Sequence, residues 1–281
     1  MRVLMFGWEF PPHIAGGLGT ACYGMTRGLA ENGVEVLFVM PSASGDEDQS
    51  SVRIINASDV AVDTMSETVD EFLGKVRFVH VGTNMVPYVS PEDFSSVVEE
   101  ERARQIKDFR ITYGQKYQFS GKYGTNLMEE VARYGMVGGT IALQHCDEFD
   151  VIHAHDWLTY LAGIAAKQLT GKPLVVHVHA TSFDRSSDDN IDTRVYDLEK
   201  RGMEAADRVI TVSELTRNIV INKYGIDPAK VVTVHNAVDF SGRAGITVQR
   251  GVKDKIVTFL GRVTYQKGPE YFIEAAAKVL K

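Results

Sequence analysis

The stretch DVIHAHDWLTYLAGIAAKQLTGKPLVVHVHA, residues 150–180, decides the fold. Its two ends, DVIHAH at 150–155 and PLVVHVH at 173–179, are short apolar runs of strand length, and the segment between them has helix length. Strand, helix and second strand, with nearly continuous apolar strands, is how a parallel sheet covered on both faces reads. The same rhythm continues toward the C-terminus with RVITVS at 208–213 and KVVTVHN at 230–236. A helix starts after Ser213, which suits an N-cap, and Gly225 with Asp227-Pro228 ends it.

Toward the N-terminus, RVLMFG at 2–7 reads as a strand. A helix from Gly19 or Thr20 to Glu31 follows, stopped by Asn32-Gly33, and then the strands VEVLFVM at 34–40 and SVRII. VRFVHV at 76–81 reads as a further strand, and Pro91 to His145 as mostly helical with a break near Ser120-Gly121. The expected fold class is α/β, a parallel sheet flanked by helices, over residues 1–239. Residues 240–255 carry three glycines and no sustained period, which reads as an interdomain linker. Residues 256–281 form one more strand–loop–helix unit. A single such unit cannot bury both faces of its strand. The expectation is that it begins a second domain of a longer protein; the alternative is that it docks on the first sheet as an extra strand.

Composition sets the class. The 281 residues are 44% hydrophobic and 24% charged with a net charge of −7, an ordinary globular balance that gives no support to a nucleic-acid or anionic-membrane partner. The two cysteines, Cys22 and Cys146, form no CxxC and no zinc spacing. The N-terminal apolar run is short and soon meets Glu9 and two prolines, so it reads as a buried strand rather than an export signal. No stretch has membrane-spanning length, and a cytoplasmic location is the default expectation.

Four places carry residues suited to chemistry. Gly16-Gly17-Leu18-Gly19 follows the first strand at the mouth of a helix, where backbone N–H groups face a ligand; it is not GxGxxG. In HAHDW, 153–157, His153 and His155 share one strand face, and Asp156 lies at the carboxyl end, where open α/β sheets bind ligands. Asp156 suits a substrate hydroxyl, or a helix cap before Trp157. In HVHATSFDRS, 177–186, His179 is at the strand end, while His153 and His177 read as hydrogen-bonded core residues. The two pairs invite a metal reading, against which stands the lack of an accompanying carboxylate pattern. Finally, Arg262 and Lys267 stand in a loop just before a helix starting near Gly268 or Pro269, an arrangement suited to a diphosphate.

In this order, GGLG, HAHDW, HVHA, VITVSELT, VHNAVD and GRVTYQKG resemble the retaining GT-B glycosyltransferases, and among them the glycogen and starch synthases. The resemblance implies two Rossmann-like domains about a cleft, the second largely absent here. It implies transfer of glucose from ADP- or UDP-glucose to the non-reducing end of an α-1,4-glucan with retention, through an oxocarbenium-like transition state. The partners would be that donor and an α-glucan acceptor, with no cofactor and no metal. By the resemblance, Gly16 and Gly17 approach the donor and Asp156 lies at the reacting centre. His179 contacts the sugar and helps to hold its positive charge, and Arg262 and Lys267 clamp the diphosphate. Asn236 and Asp239 start the interdomain crossover. Where many synthases have KTGGL, this chain has HIAGGLG, without the lysine; His13 is nearby. The donor-binding glutamate motif would lie beyond residue 281, so this chain alone is expected to be inactive. The alternatives are a different acceptor (a lipid-linked sugar, a small sugar phosphate or another glycan) or a non-catalytic glucan-binding fragment.

Overall fold

The computed structural model describes residues 1–14, 16–62, 114, 116–123, 126–186, 190–238, 251, 255–261 and 263–280. The expected strand at 76–81, the segment 91–113, Asp239, Arg262 and most of the linker lie outside the described residues. Seven parallel strands form one sheet: β1 (Arg2–Phe6), β2 (Glu35–Met40), β3 (Arg53–Asn56), β4 (Val151–His155), β5 (Leu174–Val178), β6 (Arg208–Thr211) and β7 (Val231–Thr233). Their spatial order is β3-β2-β1-β4-β5-β6-β7. The chain moves outward from β1 to β3 and then returns to place β4 on the other side of β1. The order therefore reverses between β1 and β4, the point at which doubly wound sheets open a crevice at their carboxyl ends.

Alternating side chains cover both faces. From β1 and β2, Leu4, Phe6, Leu37 and Val39 join the larger core, beneath helices α2 (Leu127–Gln144), α3 (Trp157–Thr170) and α5 (Thr193–Ala205). Val3, Met5, Val36, Phe38 and Met40 pack on the opposite face with Cys22 of α1 (Gly17–Glu31). The short helix α4 (Ser182–Arg185) and α6 (Glu214–Tyr224) follow β5 and β6. Ser213 caps α6 by accepting the Thr216 N–H at 3.0 Å, and Gly225 ends it at φ +71°. The break at Ser120-Gly121 is held by Glu130 of α2, whose buried carboxylate accepts both their N–H groups at 3.1 and 3.3 Å.

Helices α2 and α3 approach closely because small residues face each other. A Cβ on Gly138 would stand 2.6 Å from Ala162 Cβ and 3.1 Å from its Cα, and one on Gly139 2.9 Å from Leu169 Cδ1. The Ala162 atoms belong to another helix and cannot rotate away.

The C-terminal unit departs from expectation. Helix α7 (Pro269–Val279) starts as read, but residues 256–260 pair with no strand of the sheet, and Val257 and Leu260 are 81% and 96% exposed. Docking as an eighth strand is thereby corrected. A strand exists through its neighbour's hydrogen bonds, and here none is offered among the described residues.

The same face of β4 and β5 carries His153, His155, His177 and, one residue past β5, His179. Burial holds His153 down to about 3 and His177 to about 2, so both rings are neutral. The unfolded chain takes up protons near pH 6.5 that the fold refuses. Stability from this source is complete above that value and falls as pH drops toward the folded pKa values, by up to about 1.4 kcal/mol per pH unit per histidine.

Two outcomes follow. Gly138→Ala should lower stability by about 1–3 kcal/mol through overpacking, read as a lower urea midpoint at unchanged slope. In wild type, urea midpoints should be level from pH 8 to 7 and fall between pH 6.5 and 5, above the range where ordinary carboxylates titrate. A midpoint flat to pH 5 would contradict neutral buried rings.

Candidate functional site

The crevice expected at the strand reversal is present as a cleft of about 360 Å³. Its lining draws on the loop after β1, the start of α1, the ends of β4 and β5, and the turn before α7. Gly16, Gly17, Asp156, His179 and Lys267 all line it, together with Trp157 and Asn236. Of the sequence-derived candidates, Arg262 and Asp239 lie outside the described residues.

The glycine loop meets the cleft with bare backbone. At Gly17 a Cβ would find nothing within 4 Å, so the residue borders open space. Gly19 is packed instead, since a Cβ there would fall 2.5 Å from Ile14 and 3.0 Å from the Glu9 side chain. Glu9, buried, accepts the Gly19 N–H on Oε1 at 3.2 Å. This carboxylate from across the loop is why α1 starts at Gly17 rather than Gly19 or Thr20. It also places an anion on a helix N-terminus that the sequence suggested was vacant. His13, in place of the missing lysine, is exposed and pairs with Asp46 at 2.9 Å.

Asp156 stands at the N-cap of α3 but its side chain does not cap the helix. Its Oδ1 accepts the His179 backbone N–H at 2.8 Å, while its own N–H donates to the His177 carbonyl at 2.9 Å. The carboxylate thus ties the end of β4 to the end of β5. To reach, Asp156 adopts φ 56° and ψ 170°, a region that costs a residue with a Cβ on the order of 1–3 kcal/mol. Among the described residues it is the one non-glycine with positive φ. Strain held at the mouth of a cleft is a mark of function.

The histidines form a stack. The His177–His179 and His153–His155 ring centroids are 4.3 Å apart, and neighbouring planes are inclined by 10° and 38°. His155 Nδ1 and His179 Nε2 lie 3.0 Å apart. Burial lowers the pKa of all four, with the Asp156 charge opposing it at His179. The expectation of hydrogen-bonded core histidines is half met: His153 and His177 are buried, but His153 Nε2 and both His177 nitrogens have no partner. Nitrogens of His153, His155 and His177 come within 4.8 Å of one another. The planes of these three rings are inclined to one another by 16° to 38°, and the group includes no carboxylate.

Several wall residues, Arg185, Tyr123, Glu9 and Gln266 among them, were not singled out from sequence. Arg185, which lines the same cleft as His179, donates to Glu199 Oε1 at 2.7 Å and to the Ala180 carbonyl at 2.8 Å. Glu199 also accepts from Ser182 Oγ at 2.7 Å and from the Tyr224 hydroxyl. Tyr123 follows the loop pinned by Glu130, and Glu9 closes the α1 side. Arg185 lay within the polar run after β5, a position at a strand's carboxyl end that could have flagged it; Glu199, its partner, is 14 residues away.

Trp157 serves two surroundings, packing on the larger core and bordering the cleft. No helix among the described residues is long and apolar enough to cross a membrane.

Comparison with known proteins agrees with this architecture. The chain is similar to an uncharacterised glycosyltransferase of Methanocaldococcus jannaschii, 27% identical over 297 residues that cover 100% of this chain and 60% of the relative. It is similar to a glycogen synthase of Mycobacterium tuberculosis, 23% identical over 282 residues, 99% of this chain and 58% of that protein. The chain thus spans about three-fifths of the length of these relatives. A sucrose-phosphate synthase from Thermosynechococcus elongatus shares the fold at a TM-score of 0.50 and 13% identity, over 83% of this chain and 47% of that one. The profile of the starch synthase catalytic domain matches residues 2–233. That match covers most of the chain, which therefore belongs to the starch synthase catalytic domain family.

Proposed function

We propose that the protein to which this chain belongs transfers glucose from ADP- or UDP-glucose to the non-reducing end of an α-1,4-glucan, with retention. One observation carries the reading: the cleft at the strand reversal gathers Gly16, Gly17, Asp156, His179 and Lys267 from four separate parts of the chain. Residues 1–239 would bear the acceptor side, 240–255 the crossover, and 256–281 the start of the donor domain.

Each group has a physical task in that reaction. Lys267, with Arg262, neutralises the charge that grows on the departing diphosphate, next to the N-terminus of α7. The bare backbone of Gly16 and Gly17 lets the donor lie against the loop. The Asp156 carboxylate faces the centre where positive charge develops on the sugar, held there by its bond to His179 N. Alignment of an acceptor hydroxyl on the leaving-group face supplies the remainder. The cations, the helix terminus and the carboxylate together supply the charge stabilisation that this transfer needs, so no metal or cofactor is assigned.

Arg185 favours a second reading of the acceptor. A guanidinium in the cleft wall suits an anionic small acceptor such as a sugar phosphate better than a neutral glucan.

Titration calorimetry of this chain against maltooligosaccharides, cellooligosaccharides and a hexose phosphate separates these readings. Binding of malto-oligomers alone is expected. Preference for the hexose phosphate, lost in Arg185→Leu, would transfer the acceptor assignment. In the full-length protein, Lys267→Ala should weaken nucleotide-sugar binding about tenfold to a hundredfold, the loss of one charge-assisted contact of ~1.5–3 kcal/mol. Asp156→Asn, which keeps the shape and removes the charge, should slow transfer at least about a hundredfold. Wild-type glucan binding without any transfer from either nucleotide sugar would instead identify a binding protein.

A further inference from the structure

The stack contains one ring-to-ring hydrogen bond among the described residues, His155 Nδ1 to His179 Nε2 at 3.0 Å. One of these nitrogens must carry the proton and the other a lone pair. We infer that His155 donates, acting as a positioning residue that holds His179 in the tautomer with its proton on Nδ1, so that the ring presents an N–H donor to an oxygen of the transferred sugar.

His155 is fully buried and His179 half-buried, and burial lowers the pKa of both, so each ring is neutral with a single N–H. Suppose His179 donated from Nε2. His155 would then carry its proton on Nε2, which is fully buried and has no partner. An unpaired buried N–H is among the least tolerated groups in a folded protein. With the proton on His155 Nδ1, that donor is satisfied and Nε2 keeps only a lone pair. His179 must then accept on Nε2 and carry its own proton on Nδ1. His179 is half-buried at the cleft wall, and its Nδ1 is not among the buried atoms without a partner. Both protons are thereby placed where a partner or the cleft can receive them.

The residue is clamped on two sides. Its backbone N–H goes to Asp156 Oδ1 at 2.8 Å and its ring to His155, so neither position nor rotamer drifts. In this tautomer the ring meets an oxygen lone pair, such as a glucosyl hydroxyl. Support of positive charge on the sugar then belongs to Asp156 rather than to the imidazole. This last step rests on the glycosyl-transfer reading; the tautomer does not.

The test is a long-range proton–nitrogen correlation spectrum of the chain carrying nitrogen-15 histidine, near pH 7.5, with signals assigned through single variants. The expected result is a protonated Nδ1 and a bare Nε2 at His179. His155→Leu should reduce that tautomer preference at least about tenfold, and His155→Asn, which restores an N–H near the same place, should recover it. A protonated Nε2 in wild type overturns the inference, and this readout needs no variant to fold. An unchanged tautomer in a folded His155→Leu protein also overturns it. In the full-length protein, adding ADP-glucose or UDP-glucose should shift the His179 Nδ1–H signal. A correct tautomer with no response to either sugar overturns the sugar contact and counts against glycosyl transfer, leaving the role of His155 in place.

Discussion

The hydrogen bond from the His179 backbone to the Asp156 carboxylate is the constraint on which the cleft depends. It joins the carboxyl ends of β4 and β5 at the level where the sheet opens, and it is made only because Asp156 accepts an unfavourable backbone conformation. Release of that bond would free Asp156 toward an ordinary N-cap geometry for α3, a more comfortable arrangement for the helix and a useless one for the site. Stability and preorganisation are opposed at this residue, and the packed core beneath it offsets the cost.

That support is unequal on the two faces. On one side, α2 and α3 pack against the sheet through glycine and alanine, with the Tyr134 hydroxyl 3.1 and 2.8 Å from the carbonyls of Gly7 and Val39 at the ends of β1 and β2. On the other side lies a column of neutral imidazoles. Polar enough to orient His179 and flat enough to stack, they occupy the space that aliphatic side chains fill elsewhere under the sheet. The molecule thus gives up hydrogen bonds at His153 and His177 to keep one well-placed ring at the rim.

The sequence made the sheet legible because parallel strands buried on both faces read as nearly continuous apolar runs: β1 and β2 do, and in β4 and β5 only histidines interrupt the run. It also made the cleft legible, because the carboxyl ends of those runs are where chemistry belongs in this architecture. What it hid were long-range effects. Glu9 capping α1, Glu130 pinning a loop ten residues before it and Glu199 anchoring Arg185 are carboxylates whose partners local patterns do not reveal. Residues 256–260 have strand composition, yet composition cannot supply a neighbour. For Asp156 the sequence left two uses open; a backbone angle, invisible in the sequence, decided against the cap.

The central place of β1 has a consequence for how the molecule is made. β1 pairs with β2, some thirty residues on, and with β4, whose flank at Asp150 is separated from Arg2 by 148 positions. At a ribosomal rate of roughly 5–20 residues per second, the β4-facing side of β1 waits about 7–30 s for its partner to be synthesised. During that interval β1 to β3 form an incomplete sheet whose open side is one of its most apolar strands. The nascent chain is therefore most in need of a chaperone before the β4 and β5 side of the cleft has been made.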